Sequence, residues 1–270
     1  MTRDAENIAV QAWPLAAGVA SRGVVLIVHG LGEHAGRYNA LARALNDWGF
    51  GVRGYDQYGH GRSSGPRGGL TRATRLLDHL SDVVDDTRAQ MPPSAPLILL
   101  GHSLGGLVAA QCVAQKICAV SALVLSSPAL DAGLTPVQKA LLAVLPKIVP
   151  NLRIGNGLNP RFLCHDPAVV AAYQADPLVH GRISARLALF IAEGGPAVIQ
   201  QAAHWTTPTL LLYAGADRLV NPAGSRAFAA AAPENVVTAQ CFDALYHEIF
   251  NEPQSGAVLL ALKGWLDALF

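Results

Sequence analysis

The chain has 270 residues, 51% hydrophobic and only 14% charged, with a formal net charge of +1. That length suits one large α/β domain with room for an inserted subdomain. The near-neutral charge gives no footing for nucleic acid or a strongly anionic partner, and no run of ~18 uninterrupted apolar residues offers a membrane-spanning helix.

The opening stretch Met1-Thr2-Arg3-Asp4-Ala5-Glu6-Asn7 carries acids where a signal peptide wants basic residues, so a cytoplasmic protein is expected. The surplus apolarity then belongs in a dense core or in a surface that meets lipid. Cys112, Cys118, Cys164 and Cys241 lack metal-ligand spacing, which predicts free thiols with no disulfide and no zinc.

In chain order, Ile8–Trp13 reads as an antiparallel edge strand. Gly23–Val28, Gly51–Tyr55, Leu97–Leu100, Ala122–Ser126, Thr209–Tyr213 and Val236–Phe242 read as short strands that are largely apolar. Continuous apolarity predicts burial on both faces, as in a parallel sheet covered by helices. Helical spacing marks Tyr38–Trp48, Leu76–Ala89, Gly106–Ala114, Pro222–Ala232 and Gly256–Leu269. Strand and helix alternate, so the fold class is α/β, doubly wound.

Between Pro128 and Thr207 that rhythm stops, and only helix-like pieces are predicted. Val137–Val149 is apolar nearly all round, and Ser184–Ala203 is a second helix, expected to break near Gly194-Gly195-Pro196. An insertion this long between two strands is usually functional, and ligands of open α/β sheets bind at the strand ends. The predicted organisation is a core of residues 1–127 and 208–270, with 128–207 as a helical cap. The Gly59–Gly69 stretch lacks a phosphate-loop lysine and reads as a structural turn.

Gly101-His102-Ser103-Leu104-Gly105 lies between a predicted strand and a predicted helix. A G-x-S-x-G in that setting is a nucleophile elbow, which lifts one serine hydroxyl above the sheet. A serine needs a base, and the base an orienting acid, arriving in the order Ser, Asp, His in this architecture. Asp217 follows the 209–213 strand and His247 follows the 236–242 strand, placing both at the sheet edge of Ser103. Asp131 is the fallback acid, Asp243 is too close to His247 in sequence, and His204 sits at the wrong end of its strand. Backbone N–H groups of Leu31 and Leu104 are the expected oxyanion donors.

The runs His29-Gly30-Leu31-Gly32-Glu33-His34-x-Gly36-Arg37-Tyr38, Asp56-x-x-Gly59-His60-Gly61-x-Ser63-x-Gly65 and Gly101–Gly106 together resemble the monoacylglycerol lipase family of α/β-hydrolases. Gly215-x-x-Arg218, Tyr246-His247 and Tyr173-x-x-Asp176-Pro177-Leu178 extend the likeness. It implies an α/β-hydrolase fold, release of a fatty acid from monoacylglycerol through an acyl-enzyme, and no cofactor or metal. It also implies that Glu33, Arg37 and Tyr173 line the polar end of the pocket near the glycerol. The alternative for Glu33 and Arg37 is that they fix the loop or pair with each other.

The expected partner is an acyl-glycerol or other lipid ester, with peripheral membrane contact through the cap and no nucleic acid. Within enzymes the alternatives are a lysophospholipase or a short-chain carboxylesterase. A hydrolase-fold ligand-binding protein is disfavoured, because that route usually loses a triad member.

Overall fold

A computed structural model describes residues 2–270. Seven strands form one sheet in the order β1-β3-β2-β4-β5-β8-β9. These are β1 (Val10–Trp13), β2 (Gly23–Val28), β3 (Phe50–Tyr55), β4 (Leu97–His102), β5 (Ala122–Ser126), β8 (Thr209–Ala214) and β9 (Val237–Phe242). Only β1 runs antiparallel, pairing Val10 with Tyr55 at the sheet edge as expected. The strand order reverses between β2 and β4, so the chain leaves β4 at the topological switch point, where an open α/β sheet leaves a crevice.

Alternate residues of each central strand serve opposite faces, as a period of two requires. Val25, Ile27, Ile98, Leu100, Leu210 and Leu212 pack beneath α1 (Asn39–Asp47) and α8 (Ser255–Leu269). Leu26, Val28, Leu99, Leu123, Leu125 and Leu211 pack against α2 (Arg75–Ala89), α3 (Leu104–Ala114) and α7 (Ala223–Ala231). The strands therefore read as continuous apolar runs, because neither face meets water.

Residues 127–208 join β5 to β8 and hold α4 (Pro136–Ile148), α5 (Pro167–Ala175) and α6 (Ala185–Gln201). Two differences from the sequence reading lie here. The segment is not purely helical: β6 (Arg153–Gly155) and β7 (Arg182–Ser184) form a small antiparallel pair, too short to leave a period-two signal. Nor does α6 break at Gly194-Gly195-Pro196; it runs through them. The two glycines are there for close packing, since a Cβ on Gly194 would strike the Gln111 amide and one on Gly195 the Leu130 carbonyl. Leu187 and Val198 of α6 join the core around α3, so the insertion is anchored on the domain.

A third difference concerns the cysteines: Cys112 and Cys118 form a disulfide. Helix α3 ends just after Cys112, and Lys116 takes a left-handed conformation (φ 56°) that reverses the chain. That turn brings the two Cα atoms to 5.7 Å, within disulfide reach. Cys164 and Cys241 are free.

Burial holds the imidazoles of His29, His60, His79, His102 and His180 below their ordinary pKa, with His102 and His180 pushed down to about 4. The unfolded chain then binds more protons than the folded one as pH drops below about 6.5, so stability rises with pH across that window. His247 has the opposite shift and opposes this only in part. The denaturant midpoint is expected to be lower at pH 5 than at pH 7. An equal or higher midpoint at pH 5 would contradict this account of the buried imidazoles.

Candidate active site

Strand β4 ends at His102 and α3 begins at Leu104, leaving Ser103 alone between them. Its backbone is at φ 53°, ψ −118°, a strained conformation for a residue with a Cβ. The flanking glycines make the turn possible: a Cβ on Gly101 would lie 2.5 Å from the Gly105 carbonyl oxygen, and one on Gly105 would overlap that of Val28. The Ser103 N–H donates to the Ser126 carbonyl on β5, which ties the turn to the sheet. The N–H groups of Leu31 and Leu104, by contrast, donate to no protein acceptor among the described residues. Leu104 opens a helix, where free N–H groups point outward.

Asp217 and His247 arrive from the loops after β8 and β9. Asp217 Oδ1 accepts from the N–H groups of Leu219 (2.8 Å) and Val220 (2.9 Å), which fixes the carboxylate. Its Oδ2 lies 2.6 Å from His247 Nδ1. The carboxylate can only accept, so Nδ1 carries the hydrogen and Nε2 keeps its lone pair. Burial alone would lower the His247 pKa, but the Asp217 charge and hydrogen bond outweigh it and raise the group above its ordinary value. The same pairing holds Asp217 below the usual carboxylate range against a burial that would raise it.

Ser103 and His247 line the same two cavities, without a hydrogen bond between hydroxyl and imidazole. Such bonds commonly tighten only when substrate is bound. The larger cavity, about 350 Å³, is walled by Leu142 and Leu145 of α4, Ile154 of β6, and Ala188 and Ile191 of α6. The smaller, about 20 Å³, is a cleft bordered by Glu33, Tyr173 and Glu248 together with Leu158, Leu163 and Leu219. The other sequence candidates lie elsewhere: Asp131 binds Asn221, and His204 closes a short 3-10 turn ahead of β8.

Residues 19–254 match the family model described as Hydrolase_4, serine aminopeptidase S33. The chain belongs to that family. The monoacylglycerol lipase of Mycolicibacterium smegmatis is 39% identical over 254 residues, covering 91% of this chain and 88% of that protein. Phospholipase YtpA of Bacillus subtilis is 32% identical over 250 residues, covering 90% and 95%. The crystal structure of Paleococcus ferrophilus monoacylglycerol lipase has a TM-score of 0.87 and 34% identity, covering 98% of this chain and all of that one. The fold is the α/β-hydrolase fold.

In this S33-family chain, the residues expected at the polar end divide. Glu33 and Tyr173 reach the small cavity; Arg37 does not, because its guanidinium is taken up by carboxylates. Arg37 Nη1 donates to Glu33 Oε2 (2.5 Å) and Glu248 Oε1 (2.6 Å), and Nη2 to Glu248 Oε2 (2.8 Å). Its face lies over the Tyr173 ring, 4.7 Å from the centroid. Glu33 Oε1 also accepts from the Gly30 N–H and the Tyr38 hydroxyl, both at 2.6 Å. Burial would raise the Glu33 pKa, yet Arg37 brings it down to about 2, so the acid is ionised. The pairing of Glu33 with Arg37 was one of the two sequence readings. Glu248 was missed: it follows His247 directly, but nothing in the sequence pairs it with Arg37, 211 positions away.

Proposed function

We propose that the protein is a serine ester hydrolase that releases a fatty acid from monoacylglycerol. The observation that carries this reading is the placement of Ser103 where a large apolar cavity meets a narrow one bordered by the carboxylates of Glu33 and Glu248. An ester bond over Ser103 would send its acyl chain one way and its alcohol the other. That division fits an amphiphile with one long chain and a small head group.

In this mechanism Ser103 Oγ attacks the ester carbonyl carbon while His247 Nε2 takes the hydroxyl proton. Asp217 holds the imidazole in the needed tautomer and stabilises the cation that forms. The N–H groups of Leu31 and Leu104 receive the oxyanion, each worth roughly 10²–10³ in rate. As the tetrahedral intermediate collapses, the C–O bond to glycerol breaks and His247 returns the proton to the departing alkoxide. Water then attacks the acyl-enzyme through the same histidine, releasing the fatty acid and restoring Ser103. Glu33 and Tyr173 are assigned to the glycerol side, and Arg37 supports that side through its two carboxylate partners.

Purified protein is expected to hydrolyse medium- and long-chain monoacylglycerols with a kcat/KM at least about tenfold above that for short-chain nitrophenyl esters, because each buried methylene adds binding energy. A preference for the short esters would overturn the lipid reading and leave an esterase.

Residues 128–207 are assigned as a cap whose outer side meets lipid. Val137, Leu141, Val144 and Ile148 recur every three or four residues on α4 and are 69%, 51%, 52% and 71% exposed. Leu152, 50% exposed, follows the helix, with Lys139, Lys147 and Arg153 close by in sequence. A contiguous exposed apolar stripe on a helix that also walls the acyl cavity suits an interfacial contact. Among the described residues no helix is long and apolar enough to cross a membrane. Co-sedimentation with phosphatidylglycerol-containing vesicles is expected for the native chain and reduced severalfold in Val137→Ser/Ile148→Ser. Equal sedimentation of the two would remove α4 from the contact.

A further inference from the structure

Two carboxylates and one guanidinium stand buried beside the head-group cavity, and only the carboxylates face it. Glu33 and Glu248 are 3% and 5% exposed and both line the cavity, whereas Arg37 stands behind them with both terminal nitrogens committed. Asp217, ionised against His247, lies on the other side of the imidazole. Tyr38, Tyr173 and His102 add no charge: burial raises the two phenols and lowers the imidazole to about 4. The remaining nearby cation, Arg218, lies against the rings of Phe162 and Tyr246 and lines neither cavity at Ser103.

We propose that Glu248, together with Glu33, is a specificity-determining residue that admits uncharged polyol esters and excludes phosphate-bearing lysolipids. This rests on the ester-hydrolase reading of Ser103 and adds the head-group class that the site selects. A phosphate on the leaving group would have to shed its water in a space with no uncommitted cation and two fixed carboxylates. Burying an anion without a partner is costly, and like charges a few ångströms apart add to that cost. A polyol meets the same wall favourably, since its hydroxyls can donate to Glu33 Oε2 and Glu248 Oε1, which among the described residues each accept only from Arg37. Glu33 Oε1 and Glu248 Oε2 already accept two bonds, the latter from Arg37 and Asn251. The Tyr173 hydroxyl, which has no hydrogen-bond partner among the described residues, is available to the same ligand.

Charge, not shape, is what the test must move. The full chain is assayed on 1-monoacylglycerol and on lysophosphatidic acid with the same medium-length acyl chain, both below their aggregation concentrations, and kcat/KM is compared. The native enzyme is expected to favour the glycerol ester by at least about 100-fold. Glu248→Gln keeps the side-chain volume and removes one negative charge, so it should narrow that ratio by about tenfold or more, the scale of one unit charge at close range in a half-buried site.

Glu33→Gln supplies the same test should Glu248→Gln fold poorly, and is expected to move the ratio in the same direction. Mere structural damage would lower both rates together and leave the ratio unchanged; that result, or equal native rates on the two lipids, overturns the proposal. Failure of the broader reading looks different, as no hydrolysis of either lipid by a folded native chain.

Discussion

Ser103→Ala is expected to lower kcat on monoacylglycerol by about 10⁶-fold, the scale of nucleophile loss in other serine triads. The substitution removes one hydroxyl and leaves the turn intact, because alanine carries the same Cβ at φ 53° that serine already does. No other hydroxyl can take over. Ser126, on the neighbouring strand, is fully buried and lies against His102 Nδ1. The unpartnered N–H groups of Leu31 and Leu104 survive in the variant, so some rate enhancement over water remains. Steady-state turnover, with the far-ultraviolet circular dichroism spectrum confirming the fold, decides the matter. Loss of less than tenfold would exclude Ser103 as the nucleophile.

Asp217→Asn is expected to cost about 10⁴-fold in kcat, the scale found where the acid of another serine triad is replaced by its amide. The present carboxylate uses one oxygen on the Leu219 and Val220 N–H groups and the other on His247 Nδ1. An amide placed there keeps its oxygen on the two backbone donors and turns its NH₂ toward the imidazole. Nδ1 then becomes the acceptor and Nε2 carries the hydrogen, so the base faces Ser103 in the wrong tautomer.

The pH profile adds an independent sign. His247 must be neutral to act, and its pKa is raised chiefly because the Asp217 charge and hydrogen bond outweigh burial. Native kcat/KM should therefore fall as pH drops through a value above about 6.5. In Asp217→Asn burial is opposed by less, and the acid limb should move to lower pH. An unmoved limb would mean that Asp217 does not govern the titrating group.

The chain order of strands and helices, and the positions of Ser103, Asp217 and His247 at strand ends, were legible because they depend on local signals. Apolar runs, turn glycines and the elbow pentapeptide each report on a few neighbouring residues. The antiparallel edge strand expected over Ile8–Trp13 is present as Val10–Trp13. Signals that depend on distant neighbours were misread. Gly194 and Gly195 look like helix breakers until Gln111 and the Leu130 carbonyl are seen pressed against them. Cys112 and Cys118 look like unrelated thiols until a left-handed Lys116 folds one back onto the other.

By itself, then, the sequence determined the α/β alternation and the nucleophile turn, because backbone sterics and burial of apolar runs act over a few residues. It also pointed to Asp217 and His247 at one sheet edge, through the chain order that a parallel sheet imposes on its loops, and the two are hydrogen-bonded there. Only the tertiary structure decided which charges meet at the small cavity beside Ser103. Arg37 and Glu248 are 211 positions apart, and an ion pair across that span leaves no periodicity in the chain. Its existence depends on the loops after β2 and β9 being brought together by the sheet, and on burial that leaves neither charge an aqueous partner.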